Sequence, residues 1–157
     1  MKKKILTLLL FVFLSSCGYE AIYSLKNRAI YAFSISELNL AGEERQINIK
    51  IKQMLNSYRN PKIQEEKSFA LRISSNSEKT IITKDASGNA TKFKNEITLS
   101  VEVLKDEEYK SNFIIIENFT YDNNSNTFEL KIYENQIKNN LTETAVNKII
   151  LKLASIK

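Results

Sequence analysis

An α+β fold is the class this sequence predicts: a two-layer sandwich, with a four-stranded largely antiparallel sheet and two helices packed on one face. Two patterns carry that expectation. Between Lys92 and Leu104 apolar residues alternate with polar ones: Phe93, Ile97, Leu99, Val101 and Val103 share one side, and Lys94, Glu96, Thr98, Ser100 and Glu102 the other. This is the signature of a strand with one dry face and one wet face. From Leu130 onward the spacing changes to mostly four, through Tyr133, Ile137, Leu141, Ala145, Ile149 and Leu153. That is the stripe of a helix laid along a sheet, and the order strand, helix, three strands, helix completes the class.

The elements follow in order. Ala29 to Leu38 reads as a first strand, because Tyr31, Phe33 and Ile35 alternate with Ala32, Ser34 and Ser36. Ala41-Gly42-Glu43-Glu44 opens a helix whose Ile47, Ile51, Met54 or Leu55, and Tyr58 recur every three to four residues, with early acids at the positive end of the dipole. Asn60-Pro61 stops it. Ser68 to Ser74 is a strand, with Phe69, Leu71 and Ile73 alternating, continued from Thr80 to Thr83. Asp85-Ala86-Ser87-Gly88-Asn89 is a turn into the Lys92 strand. Lys105-Asp106-Glu107-Glu108 turns into Ser111 to Tyr121, where Phe113, Ile115, Phe119 and Tyr121 share one parity. Asn126 with Glu129 three residues on has capping-box spacing, so the last helix should run from about Thr127 to Ala154.

The chain has 157 residues and begins with Lys2, Lys3 and Lys4, an apolar run from Ile5 to Leu14, and then Ser15-Ser16-Cys17. A basic start and a short apolar run are the parts of a secretory signal, and the run is too short to cross a bilayer of about 30 Å. Leu14-Ser15-Ser16-Cys17 resembles the bacterial lipobox, which implies that the Cys17 thiol receives a diacylglycerol, that residues 1–16 are removed, and that the new amino terminus is acylated. Cys17 is the chain's only cysteine, so no disulfide competes for it. Two or three acyl chains hold durably where one is marginal. The expected organisation is a signal over 1–16, a lipidated tether over 17–28 and a single domain over 29–157. Gly18 stands where enteric inner-membrane lipoproteins carry Asp, which implies an outer-membrane address facing the periplasm.

Three of the 23 basic residues, Lys2 to Lys4, leave with the signal, so the charge falls from +5 to about +2 against 18 acids. That balance removes the electrostatic basis for nucleic-acid binding. There is no histidine, which excludes imidazole bases and histidine-ligated metals. The acid pairs Glu43-Glu44, Glu65-Glu66 and Glu107-Glu108 point to different azimuths and read as solvated surface. Neither enzyme chemistry nor a cofactor is expected.

Four local matches resemble one family. Cys17-Gly18-Tyr19 is similar to its Cys-Gly-aromatic start. Ser87-Gly88-Asn89-Ala90-Thr91-Lys92-Phe93 is similar to its Asn/Asp-Gly turn followed by a small residue and an aromatic. Phe119-Thr120-Tyr121-Asp122-Asn123 resembles its aromatic corner before the last helix, and Ala145 to Ile156 its amphipathic ending. The family is that of the lipopolysaccharide-assembly lipoprotein LptE. The resemblance implies a plug inside and beside the lumen of an LptD-like outer-membrane β-barrel, helping the barrel assemble and lipopolysaccharide reach the outer leaflet, with no catalytic residue. It makes Ser87, Gly88, Asn89 and Ser100 candidate barrel contacts. Lys84, Lys92 and Lys94 become candidate lipopolysaccharide contacts, in place of the arginine the family often carries near its hairpin tip. Lysines there equally suit the blocking of edge-to-edge strand pairing. The alternative is an auxiliary lipoprotein of an ABC-type envelope lipid transporter, whose partner is a periplasmic substrate-binding protein.

Overall fold

The computed structural model describes residues 33–59, 67–106 and 108–156. The signal, Cys17 and the tether lie outside the described residues, as do residues 29–32 of the expected first strand, Asn60-Pro61, Glu65-Glu66 and Glu107.

Four strands, β1 (Ser34–Ala41), β2 (Ser68–Lys84), β3 (Ala90–Lys105) and β4 (Glu108–Asp122), form one sheet in the order β1-β2-β3-β4. The pairs β2–β3 and β3–β4 are antiparallel, as three strands joined by tight turns must be. In β3, Ile97, Leu99, Val101 and Val103 are fully buried while Ser100 and Glu102 on the other side are exposed. Register carries that division across the sheet: Leu99 stands between Ser75 and Ile115, and Val101 between Ile73 and Phe113.

β1 joins the far edge in parallel, with Leu38 opposite Leu71 and Leu40 opposite Ile73. A parallel neighbour needs a crossover, supplied by helix α1 (Arg45–Leu55), which buries Ile47, Ile51 and Leu55 against the sheet. A 3-10 turn, Asn56–Tyr58, then stacks Tyr58 on Phe33 with ring centroids 5.1 Å apart. The first strand ends later than its alternation suggests, because the register shifts between Ile35 and Glu37. The bulge at Ser36 moves the core-facing set from Phe33 and Ile35 to the even positions Leu38 and Leu40, a change of face that strict alternation does not foresee. Glu43 and Glu44 precede α1 and no acid sits in its first turn.

Helix α2 (Thr127–Ser155) lies beside α1 on the same face, and Ala145, Val146, Ile149 and Leu153 are fully buried. Lys50 with Glu143 (3.1 Å) and Lys138 with Glu44 (3.5 Å) tie the two helices. Its cap is half of a capping box. Asn126 Oδ1 accepts from the Phe128 and Glu129 amides, but Glu129 accepts from the Asn124 side chain, and Asn124 Oδ1 accepts from the Asn126 amide. Tyr133, expected in the stripe, is 43% exposed, and Phe119 on β4 is 45% exposed. Both lie near the upper end of the sandwich, beyond the start of α1, where the sheet's core side has only the first turns of α2 to cover it.

Candidate functional site

β2 is one strand of 17 residues, not two segments with a break. Its middle, Asn76-Ser77-Glu78-Lys79, carries no apolar alternation and lies beyond the end of β1, whose last pairing is Ala41 with Ser74. The chain leaves the sheet there at Gly42. Asn48 locks this corner, its side-chain amide donating to the Gly42 carbonyl (3.2 Å) and its Oδ1 accepting from the buried Ser75 hydroxyl (2.8 Å). Above this level the β2–β3 hairpin projects past α1.

The hairpin tip is pre-ordered by one carboxylate. Asp85 Oδ1 accepts from the amides of Ser87 and Asn89, each at 2.9 Å, and Oδ2 from the Asn89 side chain at 3.1 Å. The Asp85 amide donates to the Asn89 carbonyl and the Gly88 amide to the Asp85 carbonyl. Gly88 takes φ +85°, which glycine adopts freely, and a Cβ there would meet open space. The Asn89 amide, then the backbone amides, hold the Asp85 carboxyl below its usual value of 3.8. Ser87, Gly88 and Asn89 are therefore exposed groups on a fixed frame.

The lysines around the tip do not converge. Lys92 faces Asp122 at 3.5 Å and Lys94 faces Glu96 at 3.0 Å, so both charges are matched locally. Among the described residues Lys84 makes no ion pair. Ser100 is exposed on the wet face opposite Ser74 and Ile114. It lies roughly 35 Å along the strand from Asn89 at about 3.3 Å per residue, so it belongs to the sheet face and not to the tip.

That face is broader and less uniformly polar than β3 alone suggests. Arg72 and Glu102 pair across it at 3.6 Å, and Asn76 stands beside Thr98. On β4, however, Ile114 and Ile116 share the wet side, 63% and 54% exposed. The run Ile114-Ile115-Ile116 already breaks the alternation in the sequence, and that was the available signal.

Beneath the hairpin, on the core side, lies a polar cluster that no sequence pattern indicated. Glu134 on α2 accepts from Lys79 (2.5 Å) and from the Tyr121 hydroxyl (2.8 Å), with Asn95 Oδ1 3.3 Å from the same hydroxyl. Lys79 also lies over the Phe93 ring, 3.9 Å from its centroid, and Tyr133 meets Tyr121 edge-on. Burial, and then the Glu134 carboxylate, push the Tyr121 hydroxyl well above the ordinary tyrosine value. Tyr121 is thus a neutral hydrogen-bond donor that braces the hairpin against α2. A shallow cleft of about 740 Å³ opens beside it, lined by Phe119, Tyr121, Asn123, Asn124, Glu129 and Tyr133. Among the described residues no three metal-ligating side chains come together, and no helix is long and apolar enough to cross a membrane.

The fold and this site define a small α+β module with a projecting, pre-ordered hairpin and an open sheet face. Solved bacterial lipoproteins have the same build. The minor lipoprotein from Acinetobacter baumannii superposes with a TM-score of 0.57 at 9% identity, over 78% of this chain and 93% of that one. Rare lipoprotein B from Shewanella oneidensis gives 0.52 at 11%, over 74% and 95%. Lipoprotein B from Nitrosomonas europaea gives 0.54 at 14%, over 78% and 83%. At such identities the likeness is one of fold. No family model and no curated protein matches the sequence.

Proposed function

We propose that this protein is a non-catalytic outer-membrane lipoprotein, anchored through Cys17 and facing the periplasm, that plugs an LptD-like β-barrel and helps it assemble for lipopolysaccharide transport. The observation that carries the reading is the hairpin. It extends past α1, ends in a tip already held by Asp85, and presents Ser87, Gly88 and Asn89 without side-chain rearrangement. A water-filled lumen has polar walls, and a pre-ordered polar tip enters it at low entropic cost. The shared fold with lipoproteins of three bacteria supports the anchored form. The polar rows of the sheet, including Ser100, supply further contacts of the same modest kind.

Lys84 is the lysine best disposed to meet a lipopolysaccharide phosphate, because Lys92 and Lys94 already face acids. Photo-crosslinking in intact envelopes tests the reading. Probes at Ser87, Asn89 and Ser100 should give adducts to one large outer-membrane protein, and a probe at Lys131 on the outer side of α2 should give few. Adducts to a soluble periplasmic protein would replace it with the transporter-auxiliary role.

A further inference from the structure

β4 is an open edge. Among the described residues it pairs only with β3, and from Ser111 to Asp122 that pairing is regular. This stretch contains no Lys, Arg, Pro or Gly, the residues that ordinarily blunt an edge. Its one inward-facing charge, Glu117, is neutralised by Lys148 on α2. Ile114, Ile116 and Phe119 are 63%, 54% and 45% exposed along it. A long regular edge with exposed apolar side chains is a template for a further strand.

We infer that this edge pairs antiparallel with the same edge of a second copy, about a two-fold axis at Ile116. Self-pairing must keep the two core sides together, so each residue faces one of its own parity and the axis falls on a residue. Charge then separates the registers. Centring on Ile115 leaves Lys110 facing only Thr120. Centring on Phe113 or Ile114 leaves Lys110 facing Ile116 or Asn118. Centring on Ile116 brings Lys110 to Asp122 at both ends, although Lys110 stands at the bulge that closes the regular stretch. It also sets Ile116 on Ile116 on the wet side and Phe113 on Phe119 on the core side, covering a ring that the monomer leaves 45% exposed. Cross-strand apolar and opposite-charge pairs both favour such a ladder, and like charges directly opposed disfavour it. This inference does not depend on the barrel reading.

Single cysteines in the full chain, oxidised in isolated envelopes, test the register, with the unsubstituted chain as baseline because it carries Cys17. Ile116→Cys should give a disulfide-linked dimer, since residues paired at the axis have Cα atoms about 4.5 to 5.5 Å apart. Ile114→Cys should stay at baseline, because the two copies of that residue are offset by roughly 13 Å along the strands. Lys110→Glu in the Ile116→Cys chain should cut the dimer several-fold, and adding Asp122→Lys should restore it. Both positions are exposed, so neither change threatens the fold. Equal crosslinking at residues 114 and 116, failure of the double exchange to restore the dimer, or disulfides only to a different protein would each overturn the inference.

Discussion

Gly42 passes so close to Ser75 that a Cβ on it would stand 2.3 Å from the Ser75 carbonyl oxygen and 2.9 Å from its Oγ. At φ +107° it also holds a backbone conformation that side chains with a Cβ rarely take. Gly42→Ala should therefore destabilise by more than the roughly 1 to 3 kcal/mol of backbone strain alone. Gly88→Ala, at φ +85° in open space, should cost only that strain. Urea unfolding of the two variants checks the order, and equal midpoints would contradict the close approach.

The two faces of β3 predict unequal costs. Leu99→Ala removes a fully buried side chain and should destabilise by about 2 to 5 kcal/mol. Glu102→Gln loses an exposed pair with Arg72 at 3.6 Å and should cost less than about 1 kcal/mol. Thermal melts of both variants make the comparison.

Acid should loosen the hairpin tip before the domain. The folded Asp85 carboxyl lies below its unfolded value of 3.8, so its stabilising bonds are fully present above that value and are lost as pH falls through the depressed one. Amide shifts of Ser87 and Asn89, followed by NMR, should titrate together with a midpoint below 3.8. Asp85→Asn, which keeps one acceptor oxygen without the charge, should abolish that titration.

If Cys17 carries the lipid, Cys17→Ala should move the protein from the detergent phase to the soluble periplasm while its melting temperature stays unchanged. The domain's described core begins at Phe33. Unchanged partitioning, with an unmodified amino-terminal peptide by mass, would remove the anchor from the proposal.

The Asn126 cap should contribute about 1 kcal/mol, because its Oδ1 satisfies two otherwise unpaired amides of α2. Asn126→Ala should lower the urea midpoint accordingly. Glu129→Ala should do less, since Glu129 does not reach back to the Asn126 amide but only accepts from Asn124.

Features that depend on neighbours a few residues apart were legible in the sequence. The alternation from Phe93 to Val103 assigned both faces of β3, Asp85 to Asn89 announced the tip, and Asn126 began α2 at the right residue. Each of these is decided by a local hydrogen bond or by the two-residue period of a half-buried strand. What depends on partners distant in sequence came only with the tertiary structure. The parallel pairing of β1 with β2, and the bulge at Ser36 that turns Leu38 and Leu40 inward, answer to α1 and β2 together. Residues 76–79 continue β2 although their pattern is polar, because β3 pairs with them beyond the end of β1. Tyr133 and Phe119 look like core by spacing, yet they stand at an end of the sandwich that α1 does not reach. The Lys79–Glu134–Tyr121 cluster joins three elements and has no local signature. Periodicity states which side of an element is apolar; only the packed chain decides how much of that side finds a partner.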